Sequence, residues 1–134
     1  MKFYGNDTFV KGPEVEDKET GLKLKVMHSM NAIAEKLFQA HMGRKRIVTE
    51  HLKARKLGQK GWSLNPLFVN SMHPGHVVFF AEVDETTGKG ELLGWAPWEV
   101  VETWPSFSYG SIGSVIATAP KNAIQNLSTY QEAI

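Results

Sequence analysis

The stretch His76-Val77-Val78-Phe79-Phe80-Ala81-Glu82-Val83 limits the fold more than any other part of the chain. Successive side chains of a strand point to opposite faces, and here apolar residues occupy both parities. Such a strand needs cover on both faces, which places it in the middle of a sheet. Asp84-Glu85-Thr86-Thr87-Gly88-Lys89-Gly90 reads as a turn, and Glu91-Leu92-Leu93-Gly94-Trp95 as the returning strand.

The second strong element lies upstream. Ser29 is a helix N-cap, and Met30, Ile33, Ala34, Leu37, Phe38 and His41 follow at helical spacing, with Gly43 placed to stop the helix. Leu22-Lys23-Leu24-Lys25-Val26 alternates as a half-buried strand does. Residues 2–4 and 8–10 are short apolar pieces separated by Gly5. Segment 47–57 has two readings. Thr49 caps a helix ending at Gly58, or 47–52 form a strand, since three of those six residues are β-branched. Residues 58–76 are broken by Gly and Pro, with Leu67-Phe68-Val69 between the breaks. Residues 96–119 read as an irregular, aromatic-rich stretch. Ala119-Pro120 opens a last amphipathic helix with Ala123, Ile124, Leu127 and Tyr130 on one face. The expected fold is α+β: one domain over 1–134, with a small, mostly antiparallel sheet, one packed amphipathic helix at about 29–42 and a C-terminal helix.

A chain of 134 residues can bury a sufficient core without staples. It has no cysteine, which excludes disulfides, thiolate catalysis and cysteine–zinc sites. No apolar run reaches the roughly 18 residues of a membrane helix, and Met1–Asp7 lacks the apolar stretch of a signal peptide. The expectation is a soluble, cytoplasmic protein without a membrane partner.

Net charge is only +1, but residues 1–60 hold 13 Lys/Arg against 7 Asp/Glu, a net of +6, and residues 61–134 hold 2 against 7, a net of −5. The excess is concentrated at 36–60, where Lys36, Arg44, Lys45, Arg46, Lys53, Arg55, Lys56 and Lys60 face a single acid, Glu50. Lysines and arginines at this density commonly neutralise phosphates. The expected nucleic-acid or polyanion site therefore comprises Arg44, Lys45, Arg46, Lys53, Arg55, Lys56 and Lys60, with Trp62 placed to stack on a base. The alternatives are a solvated face, a surface for an acidic protein partner, or pairing with the acidic half within a homo-oligomer. In the aromatic stretch, Trp98, Trp104, Phe107 and Tyr109 are either core or a protein-binding patch, the latter suiting an assembly subunit.

His73 and His76 bracket a Pro-Gly turn, but a metal site needs three or four converging ligands, so neither a metal nor a cofactor is expected. No Gly-x-Ser-x-Gly or Gly-x-x-x-x-Gly-Lys motif is present.

Over residues 30–100 the chain resembles restriction-endonuclease-like PD-(D/E)XK nucleases. The hairpin 77–84 followed by Glu91-Leu92-Leu93-Gly94-Trp95-Ala96-Pro97 is similar to a strand pair of that family. Thr49-Glu50-His51-Leu52-Lys53-Ala54-Arg55-Lys56 is similar to its catalytic strand, and the helix with Glu35 to the helix opening its core. The family motif is Glu-x-Lys, whereas two residues separate Glu50 from Lys53, which puts them on opposite faces of a flat strand. No aspartate lies between Glu35 and Glu50. The resemblance thus implies a nuclease-like core without its active site. The enzymatic alternative is a degenerate magnesium-dependent nuclease using Glu50 and Lys53. The leading expectation is a small, non-enzymatic accessory binding protein for nucleic acid or another polyanion, of a kind that would suit a virus or mobile element.

Overall fold

The computed structural model describes residues 15–17, 22–24, 29–109 and 113–130. The apolar pieces at 2–4 and 8–10 lie outside the described residues. Strands β1 (Val15–Asp17) and β2 (Leu22–Leu24) pair antiparallel. Helix α1 (Met30–Met42) begins where the Ser29 hydroxyl accepts the Ala32 N–H. It ends at Gly43, whose φ of 74° belongs to the left-handed region that glycine enters without cost, and whose N–H donates to the Gln39 carbonyl at 2.8 Å.

Segment 47–57 resolves as a strand. β3 (Glu50–Lys56) runs parallel to β5 (Val77–Asp84), which pairs antiparallel with β6 (Lys89–Pro97). The sheet order is β3-β5-β6, so β5 is central, as its apolar run demands. Its two parities feed two cores. Phe79 and Ala81 join Ala34 and Phe38 of α1 on one face, with Leu52, Ala54 and Leu92. Val78 and Phe80 point the other way. There they meet a second sheet, ordered β4-β8-β7, made of β4 (Trp62–Leu64), β7 (Ser106–Tyr109) and β8 (Ser114–Ala117). Two short helices complete this side: α2 (Pro66–Asn70), started by the Asn65 cap and Pro66, and α3 (Trp98–Val101).

A register shift opposite Phe80/Ala81 pairs Phe80 with Gly94 and Ala81 with Leu92, leaving Leu93 as the extra residue. The bulge lets Leu92 and Trp95 share the α1 face while Leu93 and Ala96 pack with the second core.

Most ladders are antiparallel, with β3–β5 the parallel exception. The C-terminal segment departs from expectation. Residues 119–130 hold no α-helix, only a 3₁₀ turn at Leu127–Thr129. Asn122 has φ of 65°, which breaks a helix, and Gln125 exchanges both backbone hydrogen bonds with Trp95, at 2.8 and 3.1 Å. The segment is a strap across the end of β6. Ala123 and Ile124 reach the second core, and Leu127 and Tyr130 the first. Its apolar residues do face inward, but extended backbone takes them there.

The strap crosses at Gly94. A β-carbon there would run into the Gln125 carbonyl oxygen and approach Ile124 Cγ2 to 2.7 Å. Gly94→Ala is therefore expected to cost about 1–3 kcal/mol through overpacking. Urea denaturation measures the loss, and faster hydrogen exchange at the Gln125 amide locates it.

Candidate functional site

β3 is an edge strand, and strand geometry divides its side chains. Glu50, Leu52 and Ala54 turn toward α1, and His51, Lys53 and Arg55 toward the second sheet. Glu50 and Lys53 thus lie on opposite faces and do not form a common site.

Glu50 is 1% exposed. Its two oxygens receive Arg44 Nη1 and Nη2, both at 2.7 Å, the Ile47 N–H at 3.0 Å and the Tyr130 hydroxyl at 2.6 Å. Burial works to raise its pKa. The hydrogen bonds from Arg44, Tyr130 and Ile47, with the charge of Arg44, outweigh burial and hold it at about 2. This carboxylate is a structural anchor. With its oxygens so occupied and Lys53 behind the sheet, it lacks the geometry of the catalytic role considered for it.

Most of the basic block is engaged in the same way. Arg46 donates to Glu35 from Nε at 2.8 Å and also from Nη2, and to the Glu50 carbonyl at 2.8 Å. Arg55 pairs with Glu82 at 2.9 Å and lies 4.1 Å above the Trp62 ring. Lys56 lies 3.5 Å from Glu85. Lys45 and Lys60 are exposed.

Lys53 is different. It is half-buried, its Nζ sits 4.9 Å over the Phe68 ring, and it has no carboxylate partner among the described residues. Burial pushes its pKa down. Lys53 lines a cleft of about 410 Å³ with Asn31 and Glu35 of α1, Arg46, Asn65 and Phe68. A second cleft, holding Lys45 and His51, adjoins it across the Arg46–Glu35 pair.

The histidines converge further than their spacing suggested. His51 joins His73 and His76: His51 Nε2 lies 2.9 Å from His76 Nδ1, with the rings stacked at 4.8 Å. His73 meets His76 edge-on at 5.3 Å. Among the described residues no group of three His, Cys, Asp or Glu is arranged to hold a metal ion.

The aromatic expectations need correction. Trp62 is 1% exposed, because β4 turns it onto Phe80, and it cannot stack on a base. Trp98 and Trp104 are also buried in the second core and offer no partner patch. Phe107 stays 60% exposed on β7. Tyr109 ends that strand, and its side chain lies outside the described residues. His41 is exposed at the helix end and completes no buried face. Sequence reasoning missed Phe68, which lies under Lys53 and beside His51, and Asn31 and Asn65, which line the Lys53 cleft. The i, i+2 spacing of His51 and Lys53 was the available signal, hidden by the helix-or-strand ambiguity of 47–57.

The fold and cleft thus define a small α+β protein with a cation-rich cleft at a sheet edge. No family model, curated protein or solved structure matches the chain. No helix among the described residues is long and apolar enough to cross a membrane.

Proposed function

We propose that the protein is a non-enzymatic binding protein that receives the phosphate backbone of a nucleic acid at the β3 edge. Lys53 carries this reading. A lysine withdrawn from water normally has a counter-charge, because desolvating a lone ammonium is costly. Lys53 has a ring beneath it and amides beside it, and the one carboxylate lining its cleft, Glu35, is taken by Arg46; no acid among the described residues pairs with it. A phosphate oxygen would supply the missing charge, with Lys45 and Lys60 adding longer-range attraction. Arg44, Arg46, Arg55 and Lys56 contribute field but are already paired with acids.

The test is fluorescence anisotropy with a mixed-sequence oligonucleotide across a salt series. Binding should weaken linearly in log–log form, and Lys53→Met should reduce the slope by about 0.7–0.9, the increment of one phosphate contact. Lys45→Gln and Lys60→Gln should each reduce it by less. Because no ion pair among the described residues offsets the desolvation of Lys53, Lys53→Met should leave the fold as stable as before or more so in urea denaturation. Absence of binding at low salt would overturn the reading. So would a Lys53→Met protein that binds with an unchanged slope.

A further inference from the structure

The histidine group lies against the same ring as Lys53. His51 approaches Phe68 edge-on at 6.2 Å, from the strand position two residues before Lys53. The short contact between His51 Nε2 and His76 Nδ1 requires one of these nitrogens to carry a hydrogen and the other to be bare. A first added proton goes from solvent to the outer nitrogen of the donor ring. The hydrogen bond survives as an imidazolium–imidazole pair. A second proton must take the bare inner nitrogen and break the bond. The pair therefore holds one extra positive charge without rearranging.

The surrounding charges set the direction of the response. Arg46 faces His51 from the loop before β3, His73 stands beside His76, and Lys53 lies across Phe68. The nearby acids are committed. Glu35 takes Arg46, Glu50 takes Arg44 on the α1 side, and Glu99 of α3 accepts the Gly75 N–H at 3.1 Å. Burial first, then the charges of His76, Arg46 and His73, hold the His51 pKa below its ordinary 6.5. An anion seated beside these groups offsets that repulsion and raises the pair's proton affinity. By linkage, protonation then tightens the anion by the same factor.

We propose that the His51–His76 pair is a proton-linked regulator of the polyanion site, taking up one proton when the ligand binds. This rests on the nucleic-acid reading above. The free His51 titrates below its ordinary 6.5, so affinity should rise as pH falls from about 7.5 to about 5, by up to about tenfold per unit for one linked proton.

The experiment is anisotropy at constant ionic strength over that pH range, with the same oligonucleotide. It uses the full chain, His51→Gln, His76→Gln and, as a control at the exposed helix end, His41→Gln. The two pair variants should lose the pH dependence, and the control should keep it. In parallel, proton–carbon NMR of the imidazole C–H signals should show the pair titrating at higher pH in the complex than in the free protein. This reads the linkage even where a variant folds poorly. Binding that is salt-dependent but flat in pH overturns the switch and leaves the nucleic-acid reading standing. A pH dependence retained in both pair variants, or NMR titrations unmoved by the ligand, also overturns it. No binding at either pH overturns both proposals.

Discussion

Arg44→Met is expected to cost the fold about 3–5 kcal/mol at neutral pH, because it strands a buried carboxylate. Glu50 would keep the Tyr130 and Ile47 hydrogen bonds but lose its facing charge and both 2.7 Å donors. The effect should depend on pH in a defined sense. The native carboxyl titrates at about 2, below its ordinary 4.5. The stabilisation from its ionised form is complete above pH 4.5 and is lost as pH falls from there toward 2. In the variant, burial no longer meets the guanidinium, and the folded-state pKa rises. The two proteins should thus differ most near pH 7 and draw together near pH 3. Urea denaturation at both values checks this. A variant within about 1 kcal/mol of the parent at pH 7 would show that Glu50 is not the anchor described.

Phe80→Ala is the second change of comparable size. Phe80 is fully buried between Trp62, at 4.7 Å, and Trp104, at 5.3 Å, where the central sheet meets the second one. Removing the ring opens a cavity at the joint, for an expected loss of about 3–5 kcal/mol. A domain of this kind holds about 5–15 kcal/mol in all. The change should therefore lower the urea midpoint strongly and reduce the near-ultraviolet circular dichroism of the two indoles. Phe80→Leu, which keeps part of the volume, should lose less. Among the described residues, neither indole Nε1–H has a hydrogen-bond partner. The joint is thus held by ring packing.

How much of this was legible depended on the range of the interactions involved. Helix α1 was readable to within a residue because its cap, apolar spacing and stop are all local. The β5–β6 hairpin was readable for the same reason. β4, β7 and β8 were not anticipated. They are three or four residues long, too short for a period to declare itself, and exist by pairing with one another. The C-terminal strap carries an apolar spacing that fits a helix, but both backbone hydrogen bonds of Gln125 go to Trp95, 30 residues earlier in the chain. Local preference lost to a tertiary partner.

The site divides along the same line. The sequence alone determined that positive charge would gather between residues 36 and 60, because composition is independent of fold. It also determined that Glu50 and Lys53 would part company on a strand, since side chains alternate. Only the tertiary structure decided which charges remain available. Glu35, Glu82 and Glu85 come from other elements to take Arg46, Arg55 and Lys56, and Arg44 turns inward to Glu50. Lys53 is left over a phenylalanine, paired with no carboxylate among the described residues, and His51 meets a histidine 25 residues away. A charge count adds every residue equally, but an electrostatic site depends on separation in space, and those separations are set by how β3 lies against β5 and α2.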